Sequence, residues 1–241
     1  MNKWTAVQLP LRRRALPRRD TIDLWLTDLT DLPLEAGPTG LTRKERVLKQ
    51  RIQQQFVLRL LLGSYLGMPG KDVALMRSER GKPHLKPALA VSGLRFNVSH
   101  SGSWLAIVIA RELNVGVDIE AERQLRRPAE LARRYFSEAE AEWLSSLEEP
   151  ALSIEFKALW TAREALVKAA GSGLGEALSE ISLAWQPASI LTLPAAWPEP
   201  AEWSLLSPEM PAGVVGHVAA AATDLRLNRY LLQAGGKSGK R

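Results

Sequence analysis

Asp118 and Glu120 stand two residues apart in the apolar segment Val115-Gly-Val-Asp-Ile-Glu120, and Glu164 and Lys168 stand four apart in Trp160-Thr-Ala-Arg-Glu-Ala-Leu-Val-Lys168. In a strand, residues i and i+2 share a face, so the first pair can grip one hard cation. In a helix, residues i and i+4 share a face, so the second pair sets a carboxylate beside an ammonium. Unpartnered carboxylates in so apolar a segment would be costly to bury, and a divalent ion would remove that cost. The donors are all oxygen, because none of the three histidines, His84, His100 and His217, lies near a carboxylate at a ligand spacing. Oxygen ligands point to magnesium or manganese and away from zinc or copper. Magnesium keeps waters and shares its shell with phosphates, so the chemistry expected is metal-assisted reaction at a diphosphate.

A second polar group lies in Phe96-Asn-Val-Ser-His-Ser101. Ser99 and His100 are adjacent in an extended segment and therefore face opposite ways. No acidic partner completes a triad, which argues against serine-hydrolase chemistry, and His100 is expected instead to donate to a phosphate oxygen. His84 is read as a surface residue and His217 as a structural one. Gly171, Gly173 and Gly175 follow a helical pattern rather than precede one. Helix amides face an anion only at the N-terminus, so these glycines read as a C-terminal cap and turn, not a phosphate cradle.

The elements that must position these groups are legible from periodicity. Strands are expected at 21–27, 94–99, 104–110 and 115–120, where residues alternate or run continuously apolar, with a hairpin turn at 112–114. A long basic helix is expected from Thr42 to about Leu66, with Val47, Ile52, Phe56, Leu60 and Leu61 on its apolar side. Helices follow at 128–135, from Ser137 and at 154–170; Ser137-Glu-Ala-Glu140 has the form of a capping box. Strands near 181–185, 203–206 and 215–222 close the pattern. Residues 186–200 read as a surface excursion, and the Gly- and Lys-rich residues 234–241 as a disordered tail. The second half thus repeats the element order of the first.

The chain of 241 residues has no cysteine, which removes disulfides, thiolate metal sites and cysteine nucleophiles and fits a reducing compartment. No stretch is apolar enough to span a bilayer, and the N-terminus lacks a signal peptide's apolar run, so a cytoplasmic protein is expected. The net charge of +6 favours polyanionic partners. A nucleic-acid-binding module is the principal alternative, but no aromatic residues are interleaved with the arginine runs as stacking platforms, and it gives the carboxylates no role.

Taken in order, Arg80-Gly-Lys-Pro83, Phe96-Asn-Val-Ser-His-Ser101, Gly116-Val-Asp-Ile-Glu120, Arg134-Tyr-Phe-Ser137 and Trp160 to Lys168 resemble the 4′-phosphopantetheinyl transferases of the surfactin-synthetase-activating type. The resemblance covers about residues 40 to 185. It implies an enzyme, a holo-carrier-protein synthase, that transfers 4′-phosphopantetheine from coenzyme A to a serine of an apo acyl or peptidyl carrier, releasing 3′,5′-ADP. Such carriers serve fatty-acid, polyketide or nonribosomal peptide synthesis. By the same resemblance the metal ligands fall on Asp118, Glu120 and Glu164. Nucleotide contacts fall on Arg59, Lys82, Ser99 and His100, basic helix positions on Arg43 and Arg46, and the lysine near the diphosphate on Lys168. Glu164 and Lys168 are the expected catalytic pair. Arg163 stands where the family usually has lysine; arginine keeps the charge but not the geometry, so no phosphate contact is carried over to it.

The fold expected is α+β, a pseudo-two-fold arrangement of two similar α+β halves, residues 1–112 and 113–233, the second carrying the metal site. One chain then does what a symmetric oligomer does elsewhere, and a monomer is expected. Carriers of this class are acidic, and Arg123, Arg126, Arg127, Arg133 and Arg134 form the candidate docking surface. A coenzyme A- or carrier-binding protein without activity is the remaining alternative, against which the intact acidic trio argues.

Overall fold

The computed structural model describes residues 3–32, 40–79, 81–123, 125, 127–172, 177–185 and 188–235. Its first elements are strands β1 (Thr5–Gln8) and β2 (Thr21–Asp28), helix α1 (Arg43–Leu66), hairpin strands β3 (Leu75–Arg77) and β4 (Pro83–Leu85), and the short helix α2 (Pro87–Ala90). Strands β5 (Leu94–Ser101), β6 (Trp104–Arg111) and β7 (Val115–Ala121) precede helices α3 (Pro128–Tyr135), α4 (Glu138–Ser145) and α5 (Ala151–Ala170). The chain ends with β8 (Ser182–Ala184), β9 (Ser189–Thr192), β10 (Ser204–Leu206), β11 (Val214–Ala220) and β12 (Arg226–Gln233). None of the described helices is long and apolar enough to cross a membrane.

One sheet has the order β1-β12-β2-β6-β5 and a second the order β10-β11-β7. Within them the two halves share a connectivity. In the first, β2 leads to α1 and then to β5 and β6, with β6 pairing antiparallel to both β2 and β5. In the second, β7 leads to α5 and then to β10 and β11, with β11 pairing antiparallel to both β7 and β10. The expected α+β fold is therefore present, and the repeat lies in connectivity.

Three apolar clusters hold these layers. Ile22, Leu24 and Leu26 of β2 and Ala106 and Val108 of β6 meet Val115, Val117 and Ile119 of β7, which packs the sheets against each other. On the outer side of the first sheet, Trp25, Phe96 and Ile107 pack on Val57, Leu58, Leu61 and Leu62 of α1. On the outer side of the second, α5 is the buried layer, with Phe156, Leu159 and Leu166 packed against α3 and α4 residues Ala132 and Leu144. The local signals behind these helices are plain. Thr42 and Glu45 form a capping box on α1, and Ser137 and Glu140 form the expected one on α4. Gly171 ends α5 at φ 73°, a left-handed cap that favours glycine; Gly173 and Gly175 lie outside the described residues.

Several expectations need correction. The core side of α1 is Val57, Leu58, Leu61, Leu62 and Tyr65, whereas Val47, Ile52 and Phe56 are exposed. Only the C-terminal half of α1 lies over the sheet core, so helical periodicity read along its whole length chose the wrong face for its first turns. Strand β12 escaped notice because its eight residues include two arginines and an asparagine, yet it runs parallel between β1 and β2 and so returns to the first half's sheet. The excursion at 186–200 contains β9, paired with β8. Helix α5 begins at Ala151, three residues before the expected start. Ala234 packs on the α1-side core, and the rest of the expected tail from residue 236 lies outside the described residues.

One close approach sets the position of α5. A Cβ placed on Gly116 would stand 2.0 Å from the Ala165 carbonyl oxygen and 2.6 Å from the Ala169 nitrogen, so helix backbone lies directly on strand backbone. No side chain fits there without moving α5. Gly116→Val should therefore lower stability by about 3 kcal/mol, the upper part of the usual range for overpacking, in urea unfolding at neutral pH. A loss below about 0.5 kcal/mol, the size of an ordinary surface change, would mean that the contact is not tight.

Candidate active site

Because Gly116 carries no side chain, α5 comes down on β7 where the strand's next two outward residues on that face are Asp118 and Glu120. The α5 residues one turn apart, Glu164 and Lys168, are brought over them. Lys168 Nζ lies 2.6 Å from Asp118 Oδ1 and also donates to the Val117 carbonyl at 3.2 Å. The Glu164 carboxyl is pushed up to about 7, first by burial and then by the negative charge of Asp118 and, less, of Glu120, with Lys168 opposing. Two carboxylates of the strand and one of the helix thus share one electrostatic environment.

Strand β5 closes the other side through alternate residues. Asn97 Oδ1 accepts from the Val117 amide at 3.1 Å, and Ser99 Oγ accepts from the Ile119 amide at 3.3 Å while donating to Asp118 Oδ1 at 2.7 Å. Ser101 Oγ donates to Glu120 Oε2 at 2.6 Å. This polar seam joins the edge of the first sheet to the edge of the second. From the β3–β4 hairpin, Lys82 Nζ donates to the Lys168 carbonyl at 2.6 Å, and burial and the neighbouring Lys168 charge lower its pKa. The site therefore gathers acidic oxygens from the second half and hydroxyls and a lysine from the first. Among the described residues no three or more His, Cys, Asp or Glu side chains close into a metal-holding cluster; Lys168 is the cation on Asp118.

Of the residues expected from sequence, Asp118, Glu120, Glu164, Lys168, Lys82 and Ser99 come together. The others stand apart. His100 is exposed and alternates away from Ser99, Arg43 and Arg46 are exposed at the start of α1, and half-buried Arg59 donates through Nε to the Val73 carbonyl at 3.3 Å. In the arginine segment, Arg123 Nη2 is 3.8 Å from Glu120 Oε2, Arg127 pairs with Glu130, Arg134 lies over Tyr135, and Arg133 lines a cleft with Glu138 and Glu142. Arg126 lies outside the described residues, as does Arg80.

Arg163 is wholly buried and paired with Glu140 rather than with the acidic cluster. Asn97 and Ser101 were overlooked, although their period-two spacing around Ser99 is a strand-face signal. His217 on β11 lies opposite Asp118 in the ladder. Its Nδ1 is 2.8 Å from Thr161 Oγ1, which also lies 2.8 Å from the Lys157 carbonyl. His84 is exposed and His217 buried.

Comparison with known proteins places these residues in context. Residues 114–214 match the family model described as the 4′-phosphopantetheinyl transferase superfamily, and residues 43–112 match the model described as 4′-phosphopantetheinyl transferase, N-terminal. The 4′-phosphopantetheinyl transferase HetI of Nostoc sp. is 33% identical over 217 residues, covering 84% of this chain and 88% of that protein. The 4′-phosphopantetheinyl transferase gsp of Aneurinibacillus migulanus is 30% identical over 120 residues, 50% of this chain and 47% of that one. The human L-aminoadipate-semialdehyde dehydrogenase-phosphopantetheinyl transferase is 26% identical over 175 residues, 69% of this chain and 57% of its own.

Burial holds His217 neutral, with its pKa lowered to about 4. The unfolded chain binds that proton near pH 6.5 and the folded chain does not, so stability is full above about 6.5 and falls as pH drops towards 4. Between pH 7 and pH 5 the wild type should lose about 2 kcal/mol from this group, measured by urea unfolding at each pH. His217→Gln should lose correspondingly less over the same interval; an identical loss would remove His217 as its source.

Proposed function

Because this chain belongs to the 4′-phosphopantetheinyl transferase superfamily, and so moves the phosphopantetheine group of coenzyme A onto carrier proteins, we propose that Asp118, Glu120, Glu164 and Lys168 are its reacting centre. The observation that carries this reading is the seating of α5 on Gly116 of β7, which sets Lys168 Nζ 2.6 Å from Asp118 Oδ1. The charges of Asp118 and Glu120 both act on Glu164 and that of Lys168 opposes them, so the three carboxylates and the lysine share one electrostatic environment. Such a group calls for a further cation, and its donors are all hard oxygens. Asp118, Glu120 and Glu164 would hold magnesium, which when bound supplies charge neutralisation at the diphosphate.

The remaining roles belong to the chain's own residues. Lys168 offsets negative charge on the diphosphate as a point cation, and Ser99 and Ser101 orient the carboxylates of Asp118 and Glu120. Glu164 takes the proton of the carrier serine through an intervening water. The serine oxygen forms its bond to the phosphorus next to the pantetheine, and the bond from that phosphorus to the oxygen of 3′,5′-ADP breaks. Lys82, Arg59 and His100 hold the nucleotide end, with Arg43 and Arg46 adding positive charge along α1, so that binding energy remote from the reacting bond positions it.

In this reading the enzyme is of the surfactin-synthetase-activating type, and each half, 1–112 and 113–233, lends part of the site to a monomeric enzyme in the cytoplasm. The acceptor is an acidic carrier, with Arg123, Arg126, Arg127, Arg133 and Arg134 as its docking surface. Support for that surface is the position of Arg123 beside Glu120.

Intact-mass measurement of apo acyl and peptidyl carriers incubated with enzyme, coenzyme A and magnesium should show the mass gain of one phosphopantetheine per carrier. With Asp118→Ala the gain should disappear while the circular dichroism spectrum is kept. A fully active Asp118→Ala would remove this residue from the centre, and no gain on any carrier with wild type would defeat the proposal. Steady-state kinetics separate the two binding surfaces. Lys82→Ala should raise KM for coenzyme A about tenfold, the loss of one charged hydrogen bond, and leave KM for the carrier unchanged. Arg127→Glu with Arg133→Glu should do the reverse; the opposite pattern, or none, rejects the assignments.

A further inference from the structure

The Arg163–Glu140 pair lies on the side of α5 away from the site, with side-chain exposures of 0% and 1%. Glu140 Oε2 accepts from the Ser137 amide at 2.9 Å, from Ser137 Oγ at 2.6 Å and from Arg163 Nη2, and its Oε1 accepts from the Leu183 amide at 3.0 Å. Arg163 also donates from Nη2 to the Ile181 carbonyl at 3.2 Å and from Nη1 to the Leu159 carbonyl at 3.3 Å. Its guanidinium lies 4.0 Å above the Phe136 ring. One residue of α5 is thereby tied to the α3–α4 junction, to the first turn of α4 and to β8.

Stability alone does not explain such a tie. A buried ion pair costs desolvation that apolar residues of the same volume would avoid, and Arg163 Nε is buried with no hydrogen-bond partner. What the pair supplies is direction. The Gly116 contact fixes how close α5 lies to β7, but a helix resting on a strand can still roll about its own axis. A roll on the order of 10° moves a carboxylate about 6 Å from that axis by about 1 Å, and a displacement of that size can cost a reaction about 100-fold. Glu164 is the residue next to Arg163.

We infer that Arg163 and Glu140 are positioning residues for the transfer, locking the roll of α5 so that Glu164 faces Asp118 and Glu120. This rests on the assignment of Glu164 to the reacting centre. The lock is a charged tie and not a particular side chain, so lysine, which can still reach Glu140, should serve at position 163.

The test compares kcat, both KM values and Tm for Arg163→Lys, Glu140→Gln, the double variant Arg163→Met/Glu140→Met, and Glu164→Gln. Arg163→Lys should keep kcat within about threefold of wild type. The double variant buries no charge but leaves the Ser137 and Leu183 amides without their Glu140 acceptor, so its Tm should fall; at temperatures well below that Tm it should lose at least tenfold in kcat with KM values unchanged, an effect about the size of a small misalignment. Glu140→Gln keeps the volume and serves where the double variant does not fold; it should lose kcat in the same way at temperatures well below its Tm. Wild-type kcat in either folded variant, with Glu164→Gln inactive, overturns the positioning role alone. Wild-type kcat in Glu164→Gln overturns the assignment of Glu164 and the inference with it.

Discussion

The contact on which the site depends is backbone against backbone: the Ala165 carbonyl and Ala169 amide of α5 resting on Gly116 of β7. Interaxial spacings set by ordinary side chains would hold the helix farther off, and Glu164 would then be too remote for its charge to register on Asp118. As it stands, burial first and the Asp118 charge second raise the Glu164 carboxyl to about 7. Glycine here is a spacer of zero length. The same strand face carries Gly116, Asp118 and Glu120 in succession, so the residue that admits the helix and the residues that use its proximity are set by one period-two alternation.

A second constraint comes from the two sheet edges. Strands β5 and β7 end their sheets, and unpaired edge amides buried between packed layers would each be costly. Asn97 and Ser99 satisfy two of them from the side, at Val117 and Ile119. Ser99 at the same time donates to Asp118, and Ser101 to Glu120. Hydrogen bonds that fasten one half of the molecule to the other therefore also hold the carboxylates in place. The same side chains thus join the two sheets and order the site.

Much of this was readable from residue order because it depends on local geometry. The shared face of Asp118 and Glu120, that of Glu164 and Lys168, the Ser137–Glu140 box and the Gly171 cap each need only a few residues and one periodicity. What stayed hidden depends on residues distant in sequence. Glu140 meets Arg163 across 23 positions and Lys82 meets the Lys168 carbonyl across 86, and no spacing rule reaches that far. The capping box even disguised the pair, since a glutamate that already has a local role gives no sign of a second. The exposed start of α1 was misread for a related reason: apolar periodicity reports a face, but only the tertiary arrangement decides whether anything covers it. Strand β12 carries charges that local patterning assigns to solvent, while its parallel pairing to β1 and β2 spans nearly the whole chain.

The charges at the centre come from both sheets' sides of the molecule. Asp118, Glu120 and ionised Glu164 would place three negative charges against the single ammonium of Lys168, an excess that burial makes worse. Lys82 reaches towards the same helix from the first half but donates its hydrogen bond to the Lys168 carbonyl, at the negative end of the α5 dipole, and not to a carboxylate. It is therefore a cation held at the border of the acidic group without cancelling it. Under the proposed reading, a divalent ion balances the carboxylates while Lys82 and Lys168 remain free to meet phosphate oxygens. A site with uniformly positive walls would bind a diphosphate but could not also hold the ion, and one with only carboxylates would repel it. Under the same reading, the alternation of sign across β7, α5 and the β3–β4 hairpin would let one site do both.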